Sequence, residues 1–181
     1  MPAFEPVLLA RIAKPNSAKL ETYRADGGYE ALKKALAMAP ADVTTMVKDS
    51  VLRGRGGAGF PAGLKWTFLP KDHPGPIYLC VNADESEPGT FNNRILMELD
   101  PHQLIEGIAI ACYAIKSEKA YLYLRYEYGR SYRVLDAAIK EGWVNIPYIE
   151  PNRFRVGIVG SGPAGMACAA DMAKAGCDVT V

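Results

Sequence analysis

No two cysteines in this sequence form a C-x-x-C pair; Cys80, Cys112, Cys168 and Cys177 stand far apart in apolar runs. That spacing offers neither a zinc site nor [4Fe–4S] ligands, and buried thiols in a reducing compartment are the expected state. Histidine is equally scarce. His73 and His102 both adjoin prolines, in a turn and at a helix start, so no metal role is expected for either. An excess of one charge sign is also missing. With 21 Lys+Arg against 20 Asp+Glu, nothing favours nucleic acid or an anionic membrane as a partner. The most apolar stretch, "LIEGIAIACYAI", is too short to cross a membrane and is interrupted by Glu106 and Gly107. The opening "MPAFEPVLLARIAKP" has no basic stretch ahead of its short apolar run, so no secretory signal is expected. Low-complexity stretches and long repeats are absent too. What remains is the composition of a cytoplasmic globular enzyme domain, 49% hydrophobic and 23% charged.

The patterned segments come in order. Tyr29, Leu32 and Leu36 recur at helical spacing and Pro40 stops the run; Val43, Met46, Val47 and Ser50–Val51 share one face of a second short helix. A helical N-terminal region over 1–52 is expected. "IYLCVNADE" reads as a buried parallel strand with a functional loop at its carboxyl end. Asp100 as cap and Pro101 as first residue open a helix. "HQLIEGIAIACYAI", apolar almost all round, should be a buried crossover. "KAYLYLRYEY" is the next strand, and "RSYRVLDAAIKEG" a helix with Ser131 as cap and Gly142 as stop. Strand and helix alternate, which predicts an α/β fold over 53–142: a Rossmann-like, mostly parallel sheet with crossover helices. A proline-broken linker follows at 143–154, and 155–181 begins a second strand–loop–helix–strand.

Two stretches spell G-x-G-x-x-G. In "VGIVGSGPAGMACAADMAKAGCDVTV" the context is right, with a strand before and an alanine-rich helix after. Gly160 allows the tight turn, Gly162 the approach of a pyrophosphate, and Gly165 close helix packing. The acidic residue that would hold a ribose belongs about 20 residues beyond the first glycine, and the sequence ends at Val181. The other stretch, "LRGRGGAGFP", follows a helix and so fails the Rossmann test. Its glycines, Gly54, Gly56, Gly57 and Gly59, suit a loop on which a flat or phosphate-bearing ligand lies against bare backbone. Arg55 and Lys65 flank it with positive charge, Phe60 and Phe68 with aromatic faces. A flexible surface loop is the alternative. Further on, "NADESEPG" gathers Asn82, Asp84, Glu85 and Glu87 at a strand end, where open α/β sheets bind ligands. By spacing alone a solvated acidic turn explains those carboxylates better.

"VLRGRGGAGFPAGLKW", "CVNADESEPGTF", "PHQLIEGIAIACYAI" and "YLYLRYEYGRSYRVLDAAIKE" together resemble the NADH-binding flavoprotein subunit of respiratory complex I. The same motifs occur in diaphorase subunits of NAD-reducing hydrogenases and NAD-linked formate dehydrogenases. The resemblance spans about 15–141. It implies that Gly54 to Gly59 lie under FMN and NAD(H), and that Lys65, Asn82 and Asp84 reach the flavin. Phe60 and Phe68 would sandwich the adenine. Glu87 would bond the ribose and repel a 2′-phosphate, and Glu85 would lie near the nicotinamide. No side chain is expected as acid or base, because the flavin carries the chemistry. Residues 155–181 resemble instead the opening of FAD/NAD(P)-dependent oxidoreductases of the glutamate synthase small-subunit type, which makes FAD conceivable at the second loop.

Two departures stand out. Arg125-Tyr126-Glu127-Tyr128 replaces the family's R-G-E-Y, and after Glu141 the family's remaining flavin-site and iron–sulfur segments are replaced by the second module. The expected function is hydride transfer from NADH to FMN and on to an external acceptor, with electron-transfer subunits as partners. The location would be cytoplasmic, compatible with the periphery of a membrane complex, without direct membrane insertion. The alternatives are an FAD/NAD(P) oxidoreductase and a non-catalytic nucleotide-binding or assembly piece. On this reading the chain looks like a chimera, the product of a truncated, rearranged or assembled gene; the alternative is structural, with the tail replacing missing strands of the first sheet.

Overall fold

The computed structural model describes residues 6–55, 57–70 and 74–141, together with the backbone of 155–157 and 178–180. Its contacts divide the chain into two units, Met1–Val144 and Asn145–Val181. The first unit begins with helices α1 (Leu20–Ala25), α2 (Glu30–Leu36), α3 (Pro40–Asp49) and α4 (Ala62–Trp66). Strand β1 (Tyr78–Ala83), helices α5 (Asn92–Leu99) and α6 (Pro101–Ile115), strand β2 (Lys119–Leu124) and helix α7 (Gly129–Lys140) follow.

β1 and β2 pair in parallel, from Tyr78 opposite Lys119 to Ala83 opposite Leu124, and α5 and α6 make the crossover. This is the α/β arrangement the alternation predicts. One sheet face carries Ala83, Leu122 and Leu124 and packs on Met97 of α5, Leu104 of α6 and Leu135 of α7. On the opposite face Cys80 and Asn82 are exposed, while half-buried Tyr78 meets Tyr121 edge-to-face at 5.7 Å. The expectations of a buried β1 and a buried Cys80 thiol are therefore corrected, since a parallel strand is fully buried only when helices cover both faces. Cys112 is half-buried in α6, and burial pushes its thiol pKa up.

Helix α6 organises the rest of the unit. Ile110 packs against Tyr23, Tyr29 and Leu32 on one side and against Ala35, Val43 and Ala114 on the other. In α3 only Val43 is buried; Met46 and Val51, expected on the same apolar face, are exposed. Tight packing of α3 on α4 has a glycine at its centre. A Cβ built on Gly63 would lie 2.3 Å from the Lys48 backbone nitrogen, so no larger residue fits there without parting the helices.

The polar groups inside this unit are not the ones sequence rules select. Asp100 does occupy the cap position of α6 and Pro101 its first turn, as expected. Yet the fully buried Asp100 carboxylate accepts from Arg11 Nε at 2.9 Å instead of capping α6. Ser131, expected as the cap of α7, lies inside that helix and donates to Glu98 at 3.0 Å; Tyr128 holds the cap position. The cap of α2 comes from 70-odd residues away. Buried Glu106 of α6 accepts from Leu32 N at 2.8 Å and Tyr29 N at 3.0 Å, and also from the Tyr23 hydroxyl. Burial and the Glu106 charge raise the Tyr23 pKa, and they push Tyr29 up to about 12. Tyr29 Oη pairs with Nδ1 of buried His102 at 2.9 Å. On the other side of that ring, Nε2 lies 3.3 Å from Glu141 Oε2, an ion-pair distance but out of line for a hydrogen bond. Burial lowers the His102 pKa.

In the second unit β3 (Arg155–Gly157) pairs in parallel with β4 (Asp178–Thr180), as expected for a βαβ opening. Gly160, Gly162 and Gly165, Cys168 and Cys177, and in the first unit Gly56, His73 and Gly142, lie outside the described residues. Among the described residues no helix is long and apolar enough to cross a membrane.

Candidate functional site

The glycine loop is a small closed turn. Arg53 and Pro61 pair across its neck, with Ala62 N donating to Leu52 O at 2.7 Å and Gly54 N to Phe60 O at 2.8 Å. Arg53 Nε adds a donation to Gly59 O at 2.6 Å, so the neck is tied by side chain as well as backbone. Within the turn Gly57 and Gly59 have φ of +94° and +61°, in the left-handed region that favours glycine. A Cβ on Gly57 would meet nothing within 4 Å. At Gly57 the turn therefore presents bare backbone to open space. Arg55 and Lys65 are exposed beside it, and among the described residues neither takes part in an ion pair. Bare backbone between two available cations is a donor set that fits a phosphate-bearing ligand.

Phe60 and Phe68 are 44% and 63% exposed, with ring centroids 5.8 Å apart at 56°. That is a direct aromatic contact, inside the range of about 4.5–7 Å for such pairs. The two rings touch each other, so a flat ring entering between them has to part and turn them.

The acidic residues sit where β1 ends. Asn82 is exposed and its Oδ1 accepts from Asp84 N at 3.0 Å; Asp84 Oδ2 accepts from Ser86 at 2.8 Å. Glu87 is exposed. Glu85 is different: it is buried, and both of its oxygens are taken. Oε1 accepts from Asn93 N at 2.7 Å and Oε2 from Arg94 N at 3.0 Å, which caps α5, a helix whose cap position is held by Phe91. The Tyr128 hydroxyl lies 3.3 Å from Oε2 as a further donor. Among the described residues no hydrogen bond or ion pair joins this acidic loop to the glycine loop.

Sequence reasoning did not select Arg125 and Tyr128. Arg125 donates to the Glu85 carbonyl and, through Nε and Nη2, to the Glu127 carboxylate at 2.8 and 3.1 Å. Those bonds hold the Glu127 pKa below its usual range. Burial first, and then the Glu85 charge, push the Tyr128 pKa up. The usable signal was position: both follow the carboxyl end of β2, beside the carboxyl end of β1. Tyr128 also lines two hollows, of about 530 and 360 Å³, lined besides by Arg94 and Glu98 in the one and by Arg125, Tyr132 and Arg133 in the other. None of the sequence-selected site residues lines either hollow. Tyr126, which stands where the resemblance expects glycine, has no positive φ and is 96% exposed, so the backbone accepts it without strain.

Two parallel strands joined by crossover helices, with a glycine turn and a carboxylate-bearing loop at a strand end, define a Rossmann-like α/β domain. The Nuo51 FMN-binding domain matches residues 47–148, and the chain belongs to that family. Residues 158–181 match a different model, an NAD(P)-binding Rossmann-like domain. The chain is 53% identical over 160 residues to a NADH-quinone oxidoreductase subunit of Rhizobium meliloti, covering 88% of this chain and 37% of the relative. It is 54% identical to the NADH-quinone oxidoreductase subunit of the same kind in Aquifex aeolicus, over 75% of this chain and 32% of that one. Among solved structures, air-oxidised NAD+-reducing [NiFe]-hydrogenase matches at 35% identity with a TM-score of 0.57, over 75% of this chain and 22% of that chain. The chain thus spans about a third of the length of the curated relatives it matches.

Proposed function

We propose that the first unit binds FMN and NADH and works as the NADH-oxidising flavoprotein part of a larger electron-transfer assembly. The observation that carries this reading is the bare, cation-flanked glycine turn inside the span that matches an FMN-binding domain. The chemistry a bound FMN supplies is acceptance of a hydride from NADH and release of the electrons to an external acceptor. The protein's own residues bind and orient. The backbone at Gly57 leaves room for a ligand to lie against it, Gly54 and Gly59 shape the turn, and Arg55 and Lys65 balance the ligand's phosphate charge. Asn82 and Asp84 offer polar atoms at the strand end. Glu87 accepts from ribose hydroxyls and repels a 2′-phosphate, which selects NADH over NADPH. Phe60 and Phe68 offer their faces to adenine. The names of the relatives, each a subunit of an oxidoreductase, support partner subunits as the source of the acceptor. A second nucleotide site around Gly160, Gly162 and Gly165, for FAD, is supported by the Rossmann-like match alone.

The test is the flavin that co-purifies with the 181-residue chain, released by denaturation and identified, with an anaerobic NADH titration beside it. FMN that bleaches with NADH is the expected result. FAD would move the function to the second glycine loop. No flavin, and no uptake of either one, would leave the non-catalytic assembly piece.

A further inference from the structure

We infer that Arg125 and Tyr128 are positioning residues: they hold the acidic loop of Asp84 to Glu87, which follows β1, against the end of β2, and so set the site for the dinucleotide. The inference rests on the proposed function for its ligand and on the following geometry for everything else. Parallel pairing puts Leu124 opposite Ala83, so Arg125 leaves β2 level with the first loop residue after β1. From there its guanidinium reaches the Glu85 carbonyl, while Glu127 fixes it through two further bonds at 2.8 and 3.1 Å. The Tyr128 hydroxyl approaches the same residue from the side-chain end, at 3.3 Å from Glu85 Oε2. Arg94 and Arg125 both lie near the Tyr128 ring, at 5.8 and 5.9 Å from its centroid, so the ring is held by cations as well.

Glu85 is thus a knot with each of its acceptors engaged: two oxygens on α5 amides and the carbonyl on Arg125. The ligand-facing candidates lie on either side of it. Asn82, Asp84 and Ser86 fix the loop's own shape by internal bonds, but none of those bonds ties the loop to the rest of the unit. Beyond the β1–β2 ladder, which ends at Ala83, placement among the described hydrogen bonds depends on the Glu85 knot. Cutting the Arg125 bond leaves the α5 cap in place and frees the strand-end side of the loop. Arg125 therefore acts through the loop, without touching the nucleotide.

The experiment compares the wild-type chain with Arg125→Gln, Arg125→Lys and Tyr128→Phe. Two readouts are used: amide hydrogen exchange over Asp84 to Thr90, and steady-state NADH oxidation with ferricyanide. In Arg125→Gln, exchange in that segment speeds up about tenfold while α6 keeps wild-type protection. KM for NADH rises about tenfold, by more than kcat falls. Arg125→Lys recovers part of both effects, because one donor still reaches the Glu85 carbonyl, and Tyr128→Phe gives a smaller change in the same direction. Wild-type exchange in the Arg125→Gln loop overturns the inference. So does faster exchange spread evenly over the unit, which would mean a purely structural role. If the wild-type chain takes up neither flavin nor NADH, the proposed function fails on the unaltered protein, and the exchange comparison still decides whether Arg125 holds the loop.

Discussion

Replacing Glu106 should cost the first unit more stability than any other single change. Its carboxylate receives Leu32 N on Oε1 at 2.8 Å, and Tyr29 N at 3.0 Å plus the Tyr23 hydroxyl on Oε2, all in a buried setting. Hydrogen bonds to a charged group contribute about 1.5–3 kcal/mol each, and an orphaned buried donor costs about 1–3 kcal/mol. Glutamine keeps one acceptor oxygen and turns an NH2 group toward a donor. Glu106→Gln should therefore lose about 2–3 kcal/mol, and Glu106→Ala about 3–5 kcal/mol, since it orphans two amides and leaves a gap. Tyr23→Phe removes one donor but leaves the carboxylate on both amides, so about 1 kcal/mol is expected. Against a typical total of about 5–15 kcal/mol these are large fractions. Urea unfolding followed by tyrosine and tryptophan fluorescence measures them, with an unchanged m-value showing that the same surface unfolds. A loss below about 0.5 kcal/mol for both Glu106 variants would mean that water caps α2 equally well. A Glu106–Tyr23 double-mutant cycle with no coupling would remove the hydroxyl from the account.

Two further changes test the packing around this centre. His102 is held neutral in the fold, with its pKa lowered from 6.5 by burial. The unfolded chain therefore takes up the proton first, and stability falls as pH drops below that value. Melting between pH 7.5 and 5.5 should show a decline that His102→Gln flattens; an unchanged slope would show that Glu141, 3.3 Å away, already compensates. Gly63→Ala would place a methyl 2.3 Å from Lys48 N and 2.7 Å from the Val47 carbonyl carbon. It should lose more than about 2 kcal/mol and loosen the neighbouring glycine turn, seen as weaker FMN uptake in a fluorescence titration.

The sheet order and the crossover were readable because hydrophobic period and the Asp100-Pro101 start are local signals. What sequence missed is long-range capping. Helix α5 was not expected at all, since Phe91 stands at its cap position and the carboxylate that caps it belongs to Glu85. Helix α2 is the same case, capped by Glu106, which sequence marks only as an interruption in an apolar run. Ser131 failed as a cap for the converse reason: a good local capper was drawn off by Glu98. The candidate site shows the same division. Glycines with positive φ and exposed cations were legible as residue types. That Glu85 is committed to a helix end depends on how two strands align, which composition and spacing do not record.

The N-terminal helices are made before the partners they need. Tyr23 needs Glu106, 83 residues further on; Arg11 needs Asp100, 89 residues on; and Leu20 N bonds Glu141 across 121 residues. At a synthesis rate of about 5–20 residues per second, Tyr23 waits roughly 4–17 s for its carboxylate and Leu20 roughly 6–24 s. For that interval the capping position of α2 has no acceptor, and the apolar faces of Leu32 and Val43 have no α6 to cover them. The order of manufacture and the order of assembly run in opposite directions here. A ribosome that slowed before Glu106 would prolong the exposure of these helices without changing a single contact of the finished fold.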